Sequence, residues 1–121
     1  MIAVIFEAQP HTDKTDAYLS AAASLRPILE KIDGFISIER FESLTQAGKL
    51  LSLSYWRDEE AVKEWRNIES HRAVQQSGRN SIFIDYTLNV AQVTRRYGMN
   101  DRAQAPEDSL LAHDSVTPAE S

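Results

Sequence analysis

Residues 56–66 read Trp56-Arg57-Asp58-Glu59-Glu60-Ala61-Val62-Lys63-Glu64-Trp65-Arg66, and the order of signals within them decides the fold. Trp56 closes an apolar run. Asp58 is a good helix cap, and Glu59 and Glu60 follow where the positive end of a helix favours acidic side chains. A strand therefore ends at Trp56 and a second helix starts at Asp58. Immediately upstream, Leu51, Leu53 and Tyr55 alternate with Ser52 and Ser54, which predicts a strand over Lys49 to Trp56. Thr45-Gln46-Ala47-Gly48 is a hairpin connection to an earlier strand, Phe35 to Glu42.

Further upstream, Tyr18, Leu19, Ala22, Leu25, Leu29 and Ile32 recur at helical spacing. Thr12 or Asp13 is positioned to cap this first helix, and Asp33-Gly34 ends it. Pro27 lacks a backbone donor and crowds the preceding turn, so a kink or break is expected near Leu25. Ile2 to Ala8 is apolar on both faces until Glu7, the pattern of a central strand covered on both sides. Downstream, Ser70 is expected to start a further short helical piece ending at Gly78. Ile82 to Val93 is a long last strand, and its apolar parity changes at Ala91, which predicts a bulge there.

The order strand, helix, strand, strand, helix, strand is that of an α+β, ferredoxin-like βαββαβ protein: an antiparallel sheet with helices on one face. The strands carry apolar residues on both sides, so the second sheet face also needs cover. A second copy of the same sheet supplies it, which predicts a homodimer packed through the sheet faces. Residues 1–98 form this domain, and 99–121 are a polar tail, flexible or packed on the partner subunit.

Composition removes several function classes. The 121 residues suit one domain, and the formal net charge of −5 argues against nucleic acid. Cysteine is absent, so there is no disulfide frame and no thiolate nucleophile, which suits a cytoplasmic protein. No apolar run approaches the ~20 residues needed to span a bilayer, so no membrane partner is expected. The three histidines, His11, His71 and His113, lie far apart, so no metal site is expected. There is no glycine-rich phosphate loop and no nucleophile elbow.

Five residues remain as carriers of chemistry. His71, at the expected start of a helical piece, would be held neutral by the positive helix end and could act as a general base near pH 7. Trp65, on the second helix, is core by spacing, yet an indole facing a cavity stacks on flat rings. Glu7 interrupts an apolar strand and is costly to bury ionised and unpaired, so either a partner such as Arg40 or Arg79 neutralises it or it serves as a proton carrier. Arg79, after Gly78, could hold an oxyanion, and Tyr86 could reach a pocket between helix and sheet.

The chain resembles the antibiotic biosynthesis monooxygenase family. The resemblance is carried by Ile5-Phe6-Glu7-Ala8, Gly34-Phe35-Ile36-Ser37-Ile38-Glu39-Arg40-Phe41, Leu51-Ser52-Leu53-Ser54-Tyr55-Trp56 and Asp58-Glu59-Glu60-Ala61. It continues through Trp65-Arg66, His71, Gly78-Arg79 and Tyr86-Thr87-Leu88-Asn89-Val90-Ala91. It implies the dimeric α+β barrel fold and a cofactor-independent monooxygenase acting on a small aromatic or quinol-type substrate. His71 and Trp65 would then be catalytic, with Tyr86, Arg79, Glu7 and Gln75 on the substrate. A haem-degrading branch of the same fold uses an Asn on the first strand and a His about three turns past the helix tryptophan. Here those positions hold Glu7 and Gln75, so no cofactor is expected and haem stands as the alternative. A non-catalytic dimeric binding or stress-response module is the third reading.

Overall fold

The computed structural model describes residues 1–75 and 82–109, and for 69–75 the backbone alone. The elements are β1 (Ile2–Pro10), a short 3-10 turn (Thr12–Lys14), α1 (Thr15–Glu30), β2 (Phe35–Glu42), β3 (Leu50–Trp56), α2 (Glu59–Gln75) and β4 (Phe83–Gln92). The four strands form one antiparallel sheet in the order β2-β3-β1-β4. The ferredoxin-like α+β arrangement and the central place of β1 are as the sequence predicts.

Strand alternation sorts the side chains to two faces. Val4 pairs with Ser54 and Val90, Phe6 with Ser52 and Leu88, and Arg40 with Ser52, so these residues share the face under the helices. Ile5, Glu7, Leu51, Leu53, Tyr55 and Phe41 take the opposite face. The core lies under the helices, where Ile2, Val4, Leu29, Ile32, Ile38, Trp56, Ala61 and Val62 are buried together. Trp56 is fully buried, donates its indole N–H to Ser54 Oγ at 2.9 Å, and meets Phe35 edge-on at 5.3 Å between ring centroids. Satisfying the indole N–H is what makes so large a polar-tipped ring tolerable in the core.

One ionic knot joins the end of α1, the end of β3 and the start of α2. Arg57 donates to both carboxylate oxygens of Asp33 at 3.1 Å and to Asp58 at 3.0 Å. Asp58 caps α2 as expected, accepting the Ala61 N–H at 3.0 Å. The Arg57 hydrogen bond holds the Asp33 carboxyl below its ordinary range. The Ala61 N–H, then Arg57, does the same for Asp58. Gly34 closes the connection with φ +95°, and its carbonyl accepts the Arg57 N–H at 2.7 Å. A Cβ there would stand 2.9 Å from the Ala61 Cβ, so the close approach of β2 to α2 requires glycine.

Four local expectations are corrected. α1 runs unbroken through Pro27, whose neighbourhood is exposed, so water can serve the carbonyl left without a donor. Neither Thr12 nor Asp13 caps α1; both lie in the 3-10 turn, and no side-chain cap bond is made at its start. α2 is continuous from Glu59 to Gln75, so no separate helix starts at Ser70; the expected end at Gly78 lies outside the described residues. The register shift in β4 lies opposite Gln9 and Pro10, with Gln9 facing Asp85 and Pro10 facing Phe83. Pairing through Ala91 is regular. Proline has no N–H for the ladder, which is a local reason for the irregularity at that end.

Of the tail, residues up to 109 are described. The Arg96 guanidinium lies 4.7 Å over the Tyr55 ring, and its backbone N–H donates to Gln104 at 2.8 Å.

Candidate active site

A cavity of about 490 Å³ lies between the sheet and the two helices. Its sheet wall is Val4, Phe6, Ile38, Arg40, Ser52 and Ser54, continued by Tyr86, Leu88 and Val90 on the edge strand. α1 contributes Tyr18, Ala21, Ala22, Leu25 and Leu29, and α2 contributes Val62, Trp65 and Arg66. The space follows from the sequence. Ser52 and Ser54 are small and both are buried, and across from them α1 presents Ala21 and Ala22. Large residues at those four positions would fill the hollow.

The two ends of the cavity differ. At one end Phe6, Tyr18, Phe83 and Tyr86 form an aromatic cluster with centroid separations between 5.3 Å (Tyr18–Phe83) and 6.5 Å (Phe6–Tyr18). Tyr86 is 60 % exposed, so its ring packs on Phe6 while much of it stays open to solvent. At the other end Trp65 stacks on Trp56, 6.4 Å between centroids and 20° between planes. An indole pinned in this way offers a flat ring a rigid wall.

Trp65 and Tyr86 are therefore brought to one cavity. Glu7 is not: it lies on the opposite sheet face and pairs with Lys49 at 3.4 Å, rather than with Arg40. Gln75 and His71 fall within the last turns of α2, but their side chains lie outside the described part, and Arg79 lies outside the described residues altogether. Because α2 is continuous, the positive helix end no longer acts at position 71.

Arg40, Arg66, Phe6, Tyr18, Ser52 and Ser54 line the cavity and were not singled out for it by the sequence. A signal was present for Arg40, a cation at the same strand parity as Ile38. The serines alternate cleanly with Leu51, Leu53 and Tyr55, but alternation does not say which set faces inward.

Among the described residues no histidine lines the cavity, and Glu7 on the first strand faces away from it. Among the described residues no cluster of His, Asp and Glu suited to a metal occurs either.

Sheet, helices and cavity define a small α+β protein with a hollow between its sheet and its two helices. The sequence profile of the family "Antibiotic biosynthesis monooxygenase" matches residues 1–77, and the chain belongs to that family. "Jasmonate monooxygenase ABM" of Pyricularia oryzae is 43% identical over 117 residues, 97% of this chain and 54% of that protein, so the chain spans about half the length of this relative. The uncharacterized protein YqjZ of Bacillus subtilis is 30% identical over 95 residues, 78% of this chain and 80% of that one. Among solved structures, a Mycobacterium tuberculosis protein, Rv0793, superposes with a TM-score of 0.67 at 19% identity, covering 80% of this chain and 98% of that one. The haem degrader MhuD of the same organism, solved with two haems in its active site, gives a TM-score of 0.60 at 14% identity, covering 81% of this chain and 100% of that one. These likenesses place the fold.

Proposed function

We propose that the chain is a cofactor-independent monooxygenase that takes a small ring-bearing substrate into the cavity under its helices. The observation that carries the reading is the cavity, about 490 Å³, apolar on most sides and bounded by Trp65 at one end and Tyr86 at the other. Family membership supports the reaction class, and the relative named for jasmonate supports a small ring-bearing substrate.

With no redox group, the substrate itself supplies the electrons. A base removes a proton from a phenol or an activated CH2, and the resulting electron-rich anion passes an electron to dioxygen. Radical recombination forms a C–O bond, loss of the second proton cleaves the O–O bond, and CH2 becomes C=O while the other oxygen leaves as water. The described lining holds no imidazole and no carboxylate, so the base is assigned to His71, in the last turns of α2, with Gln75 and Arg79 as polar contacts of the oxygenated product. Trp65 and Tyr86 orient the ring, and the apolar walls keep water from the anion.

The protein is further proposed to act as a cytoplasmic homodimer, with Ile5, Leu51, Leu53 and Phe41 of the outer sheet face covered by the same face of a second copy. Oxygen uptake with an anthrone or quinol probe tests the reaction. Uptake above the protein-free rate, slowed in Trp65→Ala, is expected; uptake equal to that rate would contradict it.

A further inference from the structure

Arg40 is out of keeping with its surroundings. It stands on β2 at the parity of buried Ile38, and its side chain lines the cavity. Its Nε is sealed from solvent and has no hydrogen-bond partner. Among the described residues no carboxylate forms an ion pair with it, and its guanidinium carbon lies 6.0 Å over the Tyr18 ring. A buried guanidinium donor left without an acceptor is costly, and charged groups are buried when something meets them.

The charge balance of the cavity points the same way. Acidic residues outnumber basic ones 18 to 13 in the chain, yet the described lining contains two arginines, Arg40 and Arg66, and no Asp or Glu. A site that concentrates positive charge against the sign of its own chain is built for an anion. The guanidinium fork matches a carboxylate in two parallel hydrogen bonds, and Ser52, paired with Arg40 across the strands, brings a hydroxyl alongside. The rest of the wall is hydrocarbon and aromatic, which suits an apolar body rather than a strongly hydrated phosphate.

We propose that the ligand of this cavity is a ring-bearing carboxylic acid and that Arg40 is the residue that binds its carboxylate. This rests on the reading of the cavity as the substrate site. It makes Arg40 the residue that sets which end of the substrate enters first, holding the acid end beside Tyr18 and leaving the ring toward Trp65.

Two matched pairs of probes test it: 1-naphthoate with methyl 1-naphthoate, and jasmonate with methyl jasmonate, titrated against the full chain by tryptophan fluorescence. The acid of at least one pair is expected to bind at least about tenfold tighter than its ester, the effect of a charge-assisted hydrogen bond. In Arg40→Met that preference is expected to fall within about threefold while ester affinity holds, since only the charge-assisted contact is removed. Arg66→Met, at an exposed rim position, is expected to keep most of it. The Arg40 Nε–Hε resonance of the unmodified protein, followed by NMR, is expected to shift with the acid and not the ester, which tests the contact even if Arg40→Met fails to fold. Equal binding of acid and ester, binding by none of the four probes, or an unmoved Arg40 resonance would overturn the proposal. Acid preference without oxygen uptake by any probe would leave Arg40 its role and remove the oxygenase; oxygen uptake without acid preference would do the reverse.

Discussion

At the scale of single residues, two tryptophans nine positions apart have different work. Trp56 is fully buried with its indole N–H satisfied, and Trp56→Ala is expected to cost about 3–5 kcal/mol in urea unfolding, the range for removing a large core ring. A cost below about 1 kcal/mol would mean the ring is not the keystone of the core. Trp65 rests on it and faces the cavity, so Trp65→Ala is expected to weaken aromatic probes several-fold with a smaller loss of stability. His71→Ala is expected to abolish turnover and leave probe binding intact. Full turnover would remove His71 from the chemistry. Residue types in the sequence pointed to Trp65 and Tyr86, because aromatic rings announce themselves. They did not reveal Arg40, whose importance lies in the absence of a partner, and absence is a property of three-dimensional surroundings. The face on which Glu7 lies was hidden for a related reason: strand alternation separates two faces, but which of them lies under the helices is not in the pattern.

At the scale of elements, the join of α1, β3 and α2 positions the cavity wall, and its chemistry is testable by pH. Asp33 and Asp58 both have carboxyls held below the ordinary 3.8, by Arg57 and by the Ala61 N–H respectively. A lowered folded-state value means the unfolded chain takes up protons first, so this stability is present above the ordinary aspartate range and is lost as pH falls through it. Melting temperature is expected to decline below about pH 4, and to decline less steeply in Arg57→Met, where Asp33 loses its partner. Identical profiles would remove the knot from the stability of the fold. Gly34→Ala combines a positive φ with a Cβ 2.9 Å from the Ala61 Cβ, whereas Gly48→Ala has a positive φ and open space. The first is expected to lower stability by more than the ~1–2 kcal/mol of left-handed strain alone, and the second by about that strain. Element order, the cap at Asp58 and the glycine at position 34 were readable because each is a local signal. The unbroken run of α1 through Pro27 and of α2 past Ser70 was not, because solvent exposure and packing override local breakers.

At the scale of the whole molecule, the outer sheet face bears Ile5, Leu51, Leu53, Tyr55 and Phe41, of which Phe41 is 42 % exposed and the others are partly covered. An apolar face of this kind on a 13.7 kDa chain is expected to be closed by a second copy. Light scattering should give about twice that mass, and Leu53→Asp, placing a charge in the middle of the face, should return the monomer. A monomer from the unmodified chain would contradict the pairing of sheets. The cavity lies on the opposite face, under the helices, so covering the outer face would leave it free.

The most direct measurement of the central claim is isotopic. The protein, freed of metal and haem, is given an anthrone under oxygen-18 gas and the product is analysed by mass spectrometry. The account predicts one labelled oxygen in the quinone product, formed faster than without protein and more slowly by Trp65→Ala. Unlabelled product, a rate no greater than the protein-free reaction, or label that enters only after haem is added would contradict it.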